Sequence, residues 1–297
     1  MAYGVVSRVV VLTALALVAS ACSDDDPPAT AASGSASVVA SSAAARTTST
    51  TRPPLDLQSV IDTFVAGQSV PFSVVAVDLS TGAQATHLSD RQVRSASLYK
   101  LFVARELLRR FSAGTLKRSA AAGDGMGRTV DECLRAMIVV SDNACGEAGL
   151  QIVGRGALTT GLHRDGFVST SLASPQQTSA DDIALFFERA RDGTILGPDS
   201  GAESAELYQL LHEQQVNDRL PTGLPPGTAI AHKTGDIRNW AHDAGVITTP
   251  RGDVLLAVLS GPWPLPCCDA DHPGEAERVA FGAIADLGRA IYDAVSK

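Results

Sequence analysis

The hydrophobic pattern of the chain changes along its length, and each change predicts a different kind of element. Apolar residues between Leu55 and Val65 recur at helical spacing and predict a first helix over 56–66. Two β-rich runs at 72–79 and 83–88 predict a hairpin with Ser80-Thr81-Gly82 as its turn. Helical spacing then predominates, with predicted helices over 97–111, from Thr129 through Val140, and over 143–153, 155–162, 180–191 and 203–215.

The end of the chain returns to strand patterns. Runs at 228–233, 244–249 and 254–259 predict three strands, the last two joined by a turn, and an apolar stripe over 275–295 predicts a closing helix. Early and late strands separated by helices predict an α+β fold. We expect one five-stranded antiparallel sheet flanked by the terminal helices, with the helical block as a second, all-helical lobe. The cleft between the lobes is the expected active site.

The first 54 residues have the composition of an export signal and a tether. Residues 1–21 contain one cation, an apolar run and small residues before Cys22, which predicts a signal peptide. The segment resembles a bacterial lipoprotein processing site, although Ala19 stands where leucine is usual. We expect a lipid anchor on Cys22 at the outer side of the bacterial cell membrane, with simple cleavage and secretion as the alternative. Residues 22–54 predict a disordered Ala/Ser/Thr/Pro tether, and 55–297 the folded domain.

Charge and lysine usage narrow the function classes. The formal net charge is −8, the chain has no run of Lys or Arg, and both facts argue against a nucleic-acid partner. Arginine supplies 20 of the 24 cationic residues, and the only lysines are Lys100, Lys117, Lys233 and Lys297. Because arginine stays protonated and cannot act as a base, the scarce lysines are candidates for chemistry.

Four cysteines follow Cys22, namely Cys133, Cys145, Cys267 and Cys268. An exported chain permits disulfides, and four cysteines allow three complete pairings. Adjacent cysteines rarely bond to each other without strain, so the pattern favours a bridge from Cys267 or Cys268 to Cys133 or Cys145. Free buried thiols are the alternative. The spacings do not resemble a zinc cluster, and we expect no metal site.

Three short motifs carry candidate chemistry. Ser97 and Lys100 are three residues apart at a predicted helix start, which places their side chains one turn apart on the same face. A lysine with a lowered pKa can take the proton of a serine hydroxyl and make it a nucleophile. The other motifs are Ser141-Asp142-Asn143 and Lys233-Thr234-Gly235. Each motif alone has an ordinary interpretation, since the second could cap a helix and Lys233 could be a solvated cation.

Two other features are less informative. Gly123-Asp124-Gly125-Met126-Gly127 has no strand before it, so we interpret it as a loop and not as a phosphate site. His232 and His242-Asp243 flank the last motif and are expected to shape its strand, not to bind a metal.

In this order and on these elements, the three motifs resemble those of class A β-lactamases. Residues 55–297 are similar to serine hydrolases of the β-lactamase and D,D-peptidase superfamily. The resemblance implies that Ser97 is acylated by an amide substrate and that Lys100 takes its proton. It also implies that Ser141 passes a proton to the leaving nitrogen.

The same resemblance implies the substrate-binding residues. Asn143 would orient the acylamide side chain of the substrate, and Lys233 and Thr234, with Gly235 completing the motif, would bind its carboxylate. Lys233 would also help to keep Lys100 neutral by like-charge repulsion. The backbone N–H groups of Ser97 and Asp236 would bind the oxyanion.

The sequence departs from the class A pattern at one point. Class A enzymes carry a loop glutamate that activates the deacylating water, and no glutamate occurs between Glu147 and Glu188. The loop over 162–167 offers Asp165 as a candidate base, with His163 as another. Because aspartate is one methylene shorter, we expect acylation by β-lactams with slow hydrolysis.

Three functions remain open at this point. The first is a β-lactamase-like hydrolase, the second a D,D-peptidase on peptidoglycan stem peptides, and the third a non-catalytic lipoprotein that binds such ligands. In each case we expect a small-molecule or peptide partner, a membrane contact only through the lipid anchor, no cofactor, and a monomer.

Overall fold

The computed structural model describes residues 56–197, 200–263 and 275–297, with side chains in the last range from residue 278 onward. These residues belong to one compact unit over 52–297. The predicted signal peptide, Cys22, the tether, Cys267 and Cys268 lie outside the described residues, so those calls stay predictions.

The described residues form seven strands and nine α-helices. The strands are β1 (Phe72–Asp78), β2 (Ala83–His87), β3 (Val93–Arg94), β4 (Gln177–Thr178), β5 (Ile230–Ile237), β6 (Trp240–Thr249) and β7 (Gly252–Ser260). The α-helices are α1 (Leu57–Ala66), α2 (Tyr99–Ser112), α3 (Val130–Val139), α4 (Asn143–Val153), α5 (Arg155–Arg164), α6 (Ala180–Arg191), α7 (Gly201–His212), α8 (Leu220–Gly223) and α9 (Glu275–Ser296).

Five strands form the predicted antiparallel sheet, in the order β2-β1-β7-β6-β5. Three hairpins, β1–β2, β5–β6 and β6–β7, build the sheet, and the central β1–β7 pairing joins the early strands to the late ones. This arrangement leaves β5, which carries Lys233-Thr234-Gly235, at one edge of the sheet. The fold prediction is confirmed.

Side-chain alternation along the strands gives the sheet two apolar faces. In β7, Val254, Leu256 and Val258 belong to one core, while Leu255 and Leu259 belong to the other. The first core is closed by α1, α8 and α9, and the second by α2 to α7. The sheet therefore separates the terminal helices from the helical lobe, and the predicted active site lies on the lobe side.

Local capping explains where several helices begin. Thr129 and Glu132 form the predicted capping box before α3, with the Thr129 N–H donating to Glu132 over 2.7 Å. Ser179 accepts from the Asp182 N–H and caps α6. These caps satisfy N–H groups that have no partner within the helix.

The structure differs from the sequence prediction in two elements. The short strands β3 and β4 pair with each other, so the helical lobe contains a two-stranded ribbon. Strand β6 begins at Trp240 instead of residue 244, because the polar residues His242 and Asp243 are buried and paired. The Nδ1 atom of His232 lies 2.9 Å from an Asp243 carboxylate oxygen.

A disulfide joins Cys133 on α3 to Cys145 on α4. The predicted bridge from Cys267 or Cys268 to one of these residues is therefore wrong, because each of them already has its partner. Asp124 lies close to both sulfurs, and this is the one cluster of potential metal ligands among the described residues. Bonded sulfurs offer no thiolate, so the cluster is not a metal site.

None of the helices in the described ranges is both long and apolar enough to cross a bilayer.

Candidate active site

Ser97 lies in a short 3-10 turn, Ala96–Leu98, that leads directly into α2. Two contacts hold this turn against the sheet. The ring of buried His242 on β6 lies 2.7 Å from the Arg94 carbonyl, just before the turn. At Gly235 on β5, an added Cβ would lie 3.2 Å from the Leu98 nitrogen. Any side chain at this position would require the strand or the turn to shift slightly, because the two are in close contact.

Lys100, on the first turn of α2, is fully buried and makes four polar contacts. Its Nζ lies 3.1 Å from the Ser97 hydroxyl and 2.7 Å from the Asn143 side-chain oxygen. It also donates to the carbonyl of Ser141 over 2.5 Å and lies 3.3 Å from the Ser141 hydroxyl. Burial lowers the pKa of Lys100 to about 8, against smaller opposing effects of Asp142 and Asp236.

The Ser141-Asp142-Asn143 segment enters the site as a loop before α4. Asp142, and neither of its neighbours, caps the helix by accepting from the Cys145 N–H over 2.8 Å. Ser141 has a φ of +58°, a left-handed conformation that is uncommon for serine. Because Asp142 takes the capping role, Ser141 and Asn143 keep their polar atoms for Lys100.

Lys233 on β5 approaches Ser141 from the opposite side. Its Nζ donates to the Ser141 hydroxyl over 2.8 Å and to the Thr234 carbonyl over 2.9 Å. Burial lowers the pKa of Lys233 well below its ordinary value, and the charge of Lys100 adds to the effect. For Lys100, in contrast, burial and not the charge of Lys233 lowers the pKa. The Ser141 hydroxyl thus lies between two buried amines.

Helix α4 packs closely against α2 beside Lys100. A Cβ at Gly146 would lie 2.4 Å from the Tyr99 hydroxyl and 2.7 Å from Lys100 Cε. One turn later, a Cβ at Gly149 would lie 2.6 Å from Val103. The two glycines allow the backbone of α4 to touch α2, which brings Asn143 within reach of Lys100.

Ser97 opens into a cavity of about 390 Å³. Its lining residues are Arg94, Ala96, Ser97, Tyr99, Asn143, Glu147, Gln176, Asp236 and Ile237. Of the residues predicted from sequence, Ser97, Asn143 and Asp236 line this space, while Lys100, Ser141, Lys233 and Thr234 lie behind it. Glu147 was not predicted, although it follows Asn143 by one helical turn and so shares its face. Arg94 and Gln176 come together because β3 pairs with β4, which begins one residue after Gln176.

Asp165 ends α5, and its carboxylate lies 2.6 Å from the Arg105 guanidinium on α2. It does not belong to the cavity lining, and His163 lies 2.9 Å from the Thr170 carbonyl. The structure therefore does not bring either candidate base from this loop into the cavity with Ser97.

Arg219 is a residue that the sequence did not reveal. Its side chain is 1% exposed, stacks on Phe281 at 3.8 Å and donates to Asp236 over 2.6 Å. Its Nη1 atom is buried and has no hydrogen-bond partner among the described residues. The site therefore contains one buried guanidinium, which stays protonated, and two buried amines whose pKa values are lowered by burial.

Comparison with known proteins agrees with this geometry. The sequence pattern of the β-lactamase enzyme family matches residues 56–295. Beta-lactamase FAR-1 of Nocardia farcinica is 26% identical over 242 residues, which cover 71% of this chain and 77% of that protein.

Solved structures share the fold. The structure of PBP-A matches with a TM-score of 0.71 and 22% identity, over 82% of this chain and 97% of that one. A β-lactamase from Sphaerobacter thermophilus DSM 20745 matches with a TM-score of 0.68 and 22% identity, over 80% and 96% of the two chains. The family match covers most of the chain, and the chain belongs to the β-lactamase enzyme family.

Proposed function

We propose that Ser97 forms an acyl-enzyme with β-lactams and that this intermediate is hydrolysed slowly. The observation that carries the proposal is the 3.1 Å contact between the Ser97 hydroxyl and Lys100, whose pKa is lowered to about 8. At pH 7 roughly one molecule in ten would have a neutral Lys100. That amine can take the serine proton as the oxygen attacks the lactam carbonyl.

Proton transfer to the leaving nitrogen is the proposed role of Ser141. The lactam C–N bond breaks as the acyl-enzyme forms, and its nitrogen must gain a proton. The Ser141 hydroxyl gives up that proton and regains one from Lys100 or Lys233, which lie 3.3 Å and 2.8 Å away. The backbone N–H groups of Ser97 and Asp236 are the proposed oxyanion donors.

The substrate carboxylate is the proposed ligand of Lys233 and Thr234, and Asn143 the proposed partner of the acylamide group. Arg219 binds Asp236, which lines the cavity, and its buried charge supports an anion near this end of the cavity. Gly235 serves the close contact between β5 and the Ser97 turn.

Slow deacylation is supported by the chemistry of the cavity wall. The loop between α5 and β4, together with the start of β4, contributes Gln176 to the lining, and an amide cannot act as a general base. Asp165, the base favoured by sequence, is instead bound to Arg105. Of the two carboxylates in the lining, Asp236 is held by Arg219 and Glu147 by Arg155.

A labelling experiment tests both halves of the proposal. The protein is incubated with a fluorescent penicillin, and the mass of the adduct is followed over time. We expect a stable adduct on Ser97 and none in Ser97→Ala, whereas Ser112→Ala, at an exposed position on α2, should label normally. Absence of an adduct contradicts acylation, and rapid turnover of a chromogenic cephalosporin contradicts slow release.

A D,D-peptidase is the second candidate, and the lack of a free carboxylate in the cavity favours it. The same acyl chemistry would release D-alanine from a peptide that ends in D-Ala-D-Ala. Release of D-alanine by the wild type but not by Ser97→Ala supports this candidate. A non-catalytic binding protein is the least favoured, because it does not need two buried lysines beside a serine. Ligand retention and normal cellular function in Ser97→Ala would support that alternative.

We further propose that the mature chain is anchored outside the cell membrane through Cys22. The mass of the N-terminal peptide from a membrane fraction tests this, since lipidation adds acyl chains to Cys22. An unmodified N-terminus in a culture supernatant would instead support secretion.

A further inference from the structure

The glycine-rich segment that the sequence analysis interpreted as a plain loop forms a tight turn beside the site. Gly123, Gly125 and Gly127 all have φ values between +76° and +78°, which only glycine adopts readily. Within the turn, Asp124 accepts from the N–H groups of Met126 and Arg128 over 3.1 and 3.2 Å. We call residues 123–128 the glycine turn.

The glycine turn aims the side chain of Arg128. The second oxygen of the Asp124 carboxylate lies 2.5 Å from Arg128 Nε, so one side of the guanidinium is fixed within the turn. The other side points to Asp142, with Nη1 and Nη2 lying 3.1 and 3.2 Å from its two carboxylate oxygens. Such a two-point contact fixes both the distance and the orientation of a carboxylate.

Asp142 occupies the centre of the catalytic loop. Its neighbours Ser141 and Asn143 both contact Lys100, and its own carboxylate caps α4. Ser141 has a left-handed backbone, a conformation that persists only when the surrounding structure holds it. Arg128 is the side chain that holds Asp142 from outside the loop.

We propose that Arg128 is a positioning residue for acylation, which fixes the Ser141–Asn143 loop and offsets the negative charge that Asp142 directs at Lys100. This inference rests on the proposed acylation of Ser97. It also predicts a change in the titration midpoint of Lys100, which can be measured without any substrate.

The charges around Lys100 support this role. Two carboxylates raise its pKa against the effect of burial, Asp142 from the α4 loop and Asp236 from β5. Each of them is bound by an arginine, Asp142 by Arg128 and Asp236 by Arg219. The remaining polar, aromatic and charged groups that contact Lys100 or lie near it are Ser97, Tyr99, Ser141, Asn143 and Lys233.

Loss of Arg128 should therefore raise the pKa of Lys100. An Asp142 without its arginine would favour the protonated form of Lys100 more strongly, which leaves less neutral amine at pH 7. Each unit by which the pKa of Lys100 rises would reduce the acylation rate about tenfold at any pH below the inflection of the pH–rate profile. A change that only loosened the loop would lower the rate at every pH without moving the inflection.

The test compares Arg128→Gln, Arg128→Lys and wild type by the rate of penicillin acylation between pH 6 and 10. We expect Arg128→Gln to move the inflection to higher pH and to lower the rate at pH 7 about tenfold. Arg128→Lys keeps the charge and should move the inflection less. Arg135→Gln removes an arginine that pairs with Glu213 on the surface and should behave as wild type. An unmoved inflection in Arg128→Gln overturns the proposal.

A second readout separates this inference from the proposed function. The chain has four lysines, so the Lys100 side chain can be titrated by NMR in lysine-labelled protein, with Lys100→Met identifying its signal. The titration midpoint of Lys100 should rise in Arg128→Gln whether or not penicillin reacts. If this variant does not fold, Arg128→Lys, which keeps the charge but cannot make the two-point contact with Asp142, should raise the midpoint by a smaller amount. An unchanged midpoint in the folded variant overturns the proposal.

Discussion

Two buried lysines define the chemistry at the scale of single residues. Lys100 and Lys233 are both inaccessible to solvent, and each uses its hydrogens on oxygen atoms of the site. Burial of an ammonium group favours loss of its proton, which is what a base requires. The low lysine count pointed to these residues in the sequence, but the direction of their pKa shifts depends on burial that only the structure gives.

The pH dependence of acylation follows from Lys100. Its pKa is lowered to about 8, and only the neutral amine accepts the Ser97 proton. The acylation rate should therefore rise about tenfold per pH unit below pH 8 and level off above it. Stopped-flow measurement with a fluorescent penicillin between pH 6 and 9.5 checks this.

Lys100→Arg is the matched variant for this profile. It keeps the charge but stays protonated, so acylation should fall by about 10²–10⁴-fold at every pH. A wild-type rate that does not change between pH 6 and 9 would show that Lys100 is not the base.

A carboxylate introduced at Gln176 should speed release of the acyl group. Gln176 lines the cavity with Ser97, and glutamate has the same length with an oxygen that can accept a proton from water. We expect Gln176→Glu to shorten the lifetime of the penicillin adduct by about tenfold or more, within the range of general-base catalysis.

The measurement is the decay of the labelled protein, followed by mass. Gln177→Glu, the next residue along the chain and outside the cavity lining, is the control. Equal decay of the adduct in the two variants would mean that the carboxylate at position 176 does not activate the water that hydrolyses the acyl-enzyme.

At the scale of helices and strands, the contact between α2 and α4 sets the distance between Lys100 and the catalytic loop. The backbone of α4 approaches α2 at Gly146 and Gly149, and the catalytic loop leads directly into α4. A helix would normally favour alanine over glycine at such positions. Here the small residue is required because the facing side chains leave no room for a methyl group.

Gly146→Ala should destabilise the protein by about 1–3 kcal/mol, the usual cost of overpacking. Gly156→Ala on α5 should instead stabilise it by roughly 0.5–1 kcal/mol, since nothing lies within 4 Å of the added Cβ. Urea denaturation of both variants measures the difference. Equal stabilities would show that the helices separate at little cost. Gly146→Ala should also slow acylation, because Lys100 Cε must move.

At the scale of the whole molecule, His242 in the sheet holds the turn that carries Ser97 and also contributes to the stability of the fold. His242 lies within β6, contacts the Arg94 carbonyl and accepts from the Ser260 N–H over 3.2 Å. Burial lowers its pKa to about 4. Protonation of this ring would place a charge in the interior and disrupt the acceptor role toward Ser260.

Acid should therefore destabilise the fold through His242. The pKa of His242 is lower in the folded than in the unfolded chain. The stability that this group contributes is therefore fully present above about pH 6.5 and is lost as the pH falls toward 4. The loss amounts to about 2–3 kcal/mol at pH 4.5. His242→Asn, which does not titrate, should lose less stability than wild type between pH 7.5 and 4.5 in urea titrations. His87→Asn, in a half-buried position on β2, serves as the control, and identical pH profiles for all three proteins would contradict the assignment.

The sheet and the major helices could be predicted because their side-chain spacing is regular over many residues. Strands β3 and β4 are two residues each, too short for any period, and their pairing depends on distant segments. The cavity wall they build, with Arg94 and Gln176, was therefore not predicted. The roles of Ser97, Lys100, Ser141 and Lys233 rest on local motifs, and the structure brings these residues together.

Other features of the site depend on contacts between distant segments, which the sequence does not show. Asp165 is the carboxylate on the expected loop and stays a predicted base, but sequence could not show that Arg105 on another helix binds it. Arg219 lies in no motif, and it stacks on Phe281 in the last helix. The favoured cysteine bridge was wrong because the approach of α3 to α4, and not the spacing along the chain, decides which sulfurs meet.

The disulfide between α3 and α4 also makes the chain convenient for site-specific labelling. Of the five cysteines, Cys133 and Cys145 react with no alkylating reagent while they are bonded to each other. A maleimide counted by mass on the denatured, unreduced protein therefore reports only Cys22, Cys267 and Cys268. Two labels on a chain that lacks Cys22 would show that both remaining thiols are free, and none would show that they are bonded to each other. A fluorophore attached to one of these thiols would leave the cross-link beside the catalytic loop intact.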